Sequence, residues 1–96
     1  MRLVWAEGAI GDLVQIRSYI AEHNPQAANE IALRLLEIAE LLPVHPQMGI
    51  QTTKEEVRRL VVPQSVYSLI YRIVDEDIEI IEVFDGRRRK PRTDIR

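Results

Sequence analysis

The spacing of apolar residues changes three times along the chain, and each change marks an element. Arg2-Leu3-Val4-Trp5 is short, apolar and β-favouring, and predicts a strand. From about Gly8, apolar residues recur at three- and four-residue steps through Ile10, Leu13, Val14 and Ile20. Ile16 and Tyr19 widen the stripe, which predicts an amphipathic helix. It stops at His23-Asn24, because Pro25 disfavours the α conformation in the residue before it. The same dipeptide starts a second helix. Asn24 can accept from the free amides of the first turn, and Pro25 suits the first helical position, where no donor is needed. Ala28, Ile31, Leu35, Ile38 and Leu42 continue the helical spacing until Pro43. So tight a link predicts an antiparallel helical hairpin.

Residues 43–57 hold Pro43, Pro46, Gly49 and a Gln-Thr-Thr run, and read as a loop. After it the β signal returns. Arg58 to Val62 predicts one strand, ended by Pro63, and Val66 to Val74 a second. Asp75-Glu76-Asp77 predicts a tight turn into a third, from Ile78 to Phe84. In the middle strand Tyr67, Leu69, Tyr71 and Ile73 share one face, and Ser68, Ile70 and Arg72 the other. The first face is the more apolar and is assigned to the helices. The predicted fold is therefore α+β: a two-layer domain with an N-terminal strand, an antiparallel helical hairpin and a three-stranded antiparallel meander.

Ninety-six residues leave room for one core, so 1–96 is expected to be a single domain. With 46% hydrophobic and 29% charged residues, the chain has the composition of a globular protein rather than a disordered one. No apolar run approaches the roughly 18 residues of a membrane span. Glu7 interrupts the N-terminus before the apolar core of a secretory signal can form, so a cytoplasmic protein is expected. The absence of cysteine excludes disulfides, thiolate metal sites and cysteine nucleophiles, and two histidines are too few for a His-rich metal site. No cofactor or metal is expected.

Charge divides unevenly. The net charge of -2 gives no overall nucleic-acid footprint, but residues 1–57 carry four basic and eight acidic side chains. From Asp85 to Arg96, a basic C-terminal tail, six basic residues stand against two acidic ones. Such polarity suits an anionic partner at one end, although a charge run at a terminus is commonly just solvated.

These residues, taken in order, resemble a known family. A first strand ends in Trp5, and the first helix carries Asp12-Leu13, Ile16 and Tyr19-Ile20. The link Asn24-Pro25 precedes Ala27-Ala28, and the loop holds Leu42, His45-Pro46 and Gly49. The sheet holds Arg59-Leu60-Val61-Val62, Tyr67 and Tyr71-Arg72, with an Ile-rich strand before Gly86-Arg87-Arg88. Together they resemble the ParE branch of the RelE/ParE toxins of type II toxin–antitoxin modules, the group associated with plasmid stabilisation. The resemblance implies a toxin neutralised by a small ParD-like antitoxin in a hetero-oligomeric complex. ParE-like members inhibit DNA gyrase, whereas RelE-like members cleave messenger RNA on the ribosome.

The resemblance orders the candidate residues. RNA cleavage without a metal needs groups that move protons and stabilise charge on phosphorus. Arg58, Arg59 and Arg72 offer charge, but no Tyr or His follows Tyr71, and Phe84-Asp85 stands where many relatives have a histidine. An Asp there repels phosphate. The gyrase inhibitor is therefore the leading expectation and no catalytic residue is assigned. The alternatives are a ribosome-dependent RNA endonuclease, or a non-toxic relative that still binds antitoxin. His45 is read as part of a structural His-Pro turn, and His23 as a cation at a helix C-terminus. Trp5, Ile16, Tyr19, Leu36 and Arg72 are candidate antitoxin contacts, each with a packing or ion-pairing reading beside it. Arg87, Arg88, Arg89 and Lys90 are candidate target contacts, since four consecutive cations cannot all point inward.

Overall fold

The computed structural model describes residues 1–95. Arg96, the last member of the basic tail, lies outside the described residues. Along the chain run β1 (Arg2–Trp5), α1 (Glu7–Ala21), α2 (Pro25–Ala39), β2 (Ile50–Gln51), β3 (Val57–Val61), β4 (Tyr67–Val74) and β5 (Asp77–Asp85). The strands form one sheet in the order β1-β5-β4-β3-β2. β1 runs parallel to β5, and the other neighbours are antiparallel. Both helices pack on one face, so the fold is α+β in two layers, as the sequence predicts.

Local chemistry accounts for the element ends. Asn24 Oδ1 accepts from the Ala27 N–H at 3.1 Å, and Pro25 opens α2. α2 ends at Ala39, before Pro43, because the backbone tightens: Leu41 N–H donates to Ile38 O, and Leu42 N–H to Ala39 O. Leu42 nevertheless stays in the core. Within the predicted loop, Ile50–Gln51 pairs with Arg59 and Arg58 as a short edge strand. Two residues are too few to show a period, and their polar followers hid the strand.

Tyr67, Leu69 and Tyr71 face the helices, as expected, and join Leu35, Leu42, Leu60, Ile78 and Ile80 in the main core. Ala9 and Ala39 are fully buried small residues that let the helices approach their neighbours closely. Leu35 is fully buried on α2. Leu35→Ala is expected to cost about 2–5 kcal/mol, lowering Tm by roughly 10 °C or more. A Tm within about 2 °C of wild type on thermal unfolding would show that the helix layer does not depend on this contact.

The other face of β4 departs from the simple alternation. Ser68 and Ile70 are buried there, not solvated. Ile70 packs with Val57 and Phe84 beneath Ile95, because the C-terminal segment folds back across the outer face. A β-bulge makes this possible. The register passes from Ile70↔Glu82 to Tyr71↔Ile80, leaving Ile81 extra. The slip puts Glu82 and Phe84 on the outer face and Val83 on the helix face.

Candidate functional site

β1 ends at Trp5, opposite Ile80, where the chain turns into α1. Beyond that point β5 has no strand on this side, and a cleft of about 610 Å³ opens between α1 and the end of β5. Its α1 wall carries Asp12, Ile16 and Tyr19. Val83 and Phe84 lie at its base, and Arg87, Arg88 and Lys90 form the opposite rim. Size alone places it within the roughly 300–1,000 Å³ of ordinary ligand sites.

Three carboxylates organise the cleft. Asp12 Oδ2 accepts from the Val83 N–H at 3.0 Å and from Arg92 Nη2 at 2.9 Å. It thus satisfies an edge amide that β1 is too short to reach, and the pair holds the Arg92 guanidinium pKa above its ordinary value. Asp85 shapes the turn after β5. Its Oδ1 accepts from the Arg87 N–H at 2.9 Å, and its carbonyl from the Arg88 N–H at 2.9 Å. Arg87 also grips the same carboxylate through Nε and Nη2, at 3.0 and 2.8 Å. That hydrogen-bonded pair holds Asp85 below the usual carboxylate range. The Asp expected to repel phosphate is therefore neutralised locally by its own turn.

Glu82 is the third, only 3% exposed. Its Oε1 accepts from the Thr93 N–H at 2.8 Å and the Thr93 hydroxyl at 2.7 Å, and its Oε2 from the Arg92 N–H at 3.1 Å. The C-terminal segment is thus docked and not a solvated tail. Thr53 Oγ1 donates to Ile95 O at 2.7 Å, and Lys54 pairs with Asp94 at 3.4 Å.

Residues 3–90 match the family described as the ParE toxin of the type II toxin–antitoxin system parDE. The chain belongs to that family. It is 34% identical over 87 residues to "Toxin RelE2" of Caulobacter vibrioides, covering 91% of this chain and 97% of that one. A solved structure titled "Chromosomal ParDE TA system from P. aeruginosa" superposes with a TM-score of 0.80 at 22% identity. That likeness covers 88% of this chain and 95% of that one, and it shows the shared fold.

In this toxin the cleft gathers Ile16 and Tyr19 with Arg87, Arg88 and Lys90. Arg89 lies exposed on the same turn. Tyr19 is 59% exposed and meets His23 edge-on at 6.4 Å. The remaining candidates lie elsewhere. Trp5 is half-buried against the main core, and Leu36 is 41% exposed on α2. Arg72 sits on the outer face, paired with Glu79 at 2.5 Å.

The other candidate arginines also hold structural contacts. Arg58 Nη1 donates to Gly49 O at 2.8 Å. Arg59 donates to Ser68 Oγ at 3.1 Å and stacks over Phe84 at 5.3 Å. Both histidines are exposed, and neither lines the cleft. Among the described residues, no group of three or more His, Asp or Glu side chains could hold a metal ion, and no helix is long and apolar enough to cross a membrane.

Sequence reasoning missed Asp12, Glu82 and Arg92. A signal for Glu82 was present. In Ile78-Glu79-Ile80-Ile81-Glu82-Val83 the alternation slips by one residue at Ile80-Ile81, as a bulge requires.

Proposed function

We propose that this toxin inhibits DNA gyrase in the cytoplasm and is neutralised by a ParD-like antitoxin seated in the cleft. Family membership supports a toxin with an antitoxin partner. The observation that carries the finer reading is the cationic turn Arg87–Lys90, held at the rim of a cleft whose far wall presents Ile16 and Tyr19. Asp85 engages Arg87, while Arg88, Arg89 and Lys90 project as exposed cations. They suit gyrase, gyrase-bound DNA or an acidic antitoxin tail. A disordered tail would fold into the cleft, and a wrapping tail would also reach Leu36 on the exposed side of α2.

Engagement of Arg58, Arg59 and Arg72 in internal contacts favours this reading over RNA cleavage. The deciding experiment is gyrase supercoiling with purified toxin, repeated with antitoxin. Inhibition relieved by the antitoxin supports the proposal. No inhibition, with ribosome-dependent RNA cleavage instead, replaces it with the nuclease. Inactivity in both assays, with antitoxin binding retained, leaves the non-toxic relative.

Tyr19→Ala tests the α1 wall. An exposed aromatic anchor contributes about 1–3 kcal/mol at a binding site, so antitoxin affinity should fall roughly 10- to 100-fold. Tm should hardly change, since the side chain is mostly solvated. Calorimetric titration giving an unchanged Kd would remove Tyr19 from the interface.

A further inference from the structure

Glu82 is the only charged side chain among the described residues that is buried, at 3% exposure. It lies on the outer face of β5, where the bulge at Ile81 places it, and it lines the cleft from that side. Everything it binds belongs to the C-terminal segment: the Arg92 amide, the Thr93 amide and the Thr93 hydroxyl, with the Arg92 guanidinium 3.9 Å away. Buried carboxylates are costly unless fully hydrogen-bonded, so a segment supplying these donors is held firmly.

The position of that anchor gives it a role. The cationic turn is fixed at its start by Asp85, which binds the Arg87 amide and guanidinium. Its far end is fixed where Arg92 and Thr93 meet Glu82, and where Arg92 reaches Asp12 on α1. Residues 88–91 therefore span two anchored points. Beyond them, Ile95 packs on Val57, Ile70 and Phe84, closing the segment against the outer face. A cationic loop fixed at both ends binds its target without first losing conformational freedom, and so binds more tightly than the same charges on a free tail.

We infer that Glu82 is the positioning residue of the target-binding turn: by pinning Arg92 and Thr93 it presents Arg88, Arg89 and Lys90 as a preformed surface. This rests on the reading of that turn as the target contact. Glu82 touches no target itself.

Glu82→Gln tests it. The carboxamide keeps the size, but its NH₂ group faces N–H donors where a carboxylate oxygen accepted them. Ile95→Asp releases the same segment from its other end and leaves Glu82 intact. Both full-length variants are examined by amide hydrogen exchange, by gyrase supercoiling and by growth arrest on induced expression. In each, the Arg92 and Thr93 amides should exchange at least tenfold faster, while Leu69 and Ile80 in the central strands stay protected. The concentration for half-inhibition should rise at least tenfold. The double variant should be no weaker than the weaker single one, because both act by freeing one segment.

Arg92 and Thr93 still protected in Glu82→Gln would overturn the inference, and so would a freed segment with undiminished inhibition. Losses that multiply in the double variant would also overturn it, since they would mean two separate defects. If wild type leaves gyrase untouched but arrests growth, the gyrase reading fails alone and growth arrest scores the same variants. A wild-type chain inert in both assays overturns the inference together with the reading beneath it.

Discussion

Tyr71→Phe is expected to cost about 2 kcal/mol or more, lowering Tm by roughly 10 °C or more, although it removes one oxygen atom. That oxygen ties the long loop after α2 to the middle of the sheet. Tyr71 Oη accepts from the Gly49 N–H at 2.9 Å and donates to Pro46 O at 2.7 Å. Phenylalanine would leave a buried amide and a partly buried carbonyl without partners, and unmade bonds of this kind cost more than made ones contribute. The ring also needs glycine beside it. A Cβ at position 49 would lie 2.7 Å from Tyr71 Cε1 and 3.1 Å from the Arg59 carbonyl carbon. The loop is therefore built around this phenol.

The same contact sets a pH dependence. Burial pushes the Tyr71 phenol above its ordinary value of 10.0, outweighing the opposing effects of the Gly49 amide and Arg58. The folded state thus favours the neutral phenol. Its contribution is complete below pH 10.0 and is lost as pH rises through the raised folded value. Wild type should lose stability above pH 10, and its advantage over Tyr71→Phe should shrink there. Tyr67, raised chiefly by burial and then by Asp85, adds a similar loss to both proteins. Chemical denaturation across the alkaline range checks this. A gap between the two proteins that stays constant well above pH 10 would show that the phenol keeps its ordinary pKa.

Tyr71 also shows where the sequence could and could not be read. Its face was legible, because Tyr67, Leu69 and Tyr71 alternate strictly and one face of β4 must be buried. The Asn24-Pro25 start of α2 was equally legible, since cap and first turn are adjacent in the chain. Partnership with Gly49 and Pro46 was not, because periodicity says which face is inward but not which loop folds over it. Ile70 was placed on the correct face, but its burial was not legible for the same reason: its cover is Ile95, at the far end of the chain. Glu82 was passed over because a carboxylate in a strand ordinarily faces water. Only the bulge and the returning segment make it interior. In the cleft, Ile16, Tyr19 and the basic run were visible as separate features. That they face one another depends on β1 ending at Trp5, which no local pattern announces.

Replacing Arg88, Arg89 and Lys90 together with Ser, and leaving Arg87 and Arg92, is expected to abolish most of the toxin's action on its target. Arg87 belongs to the Asp85 turn, and Arg92 bridges Asp12 and Glu82, so changing either would confuse shape with charge. The other three are exposed, and their loss should alter stability by no more than about 0.5 kcal/mol. If they meet an anionic surface, half-inhibition of supercoiling should require more than about tenfold more protein, a loss of at least 1.4 kcal/mol. Salt gives the sharper measurement. Raising ionic strength should weaken wild type steeply and the variant little, because exposed charges act through solvent that salt screens. Full activity in the variant, with the wild-type salt dependence intact, would exclude the turn as the contact surface. Antitoxin affinity then separates two modes of neutralisation. A parallel loss would mean that antitoxin and target compete for the same cations, so that neutralisation is occlusion. An unchanged affinity would place the antitoxin on the Ile16 and Tyr19 wall alone, leaving the cationic turn free in the neutralised complex.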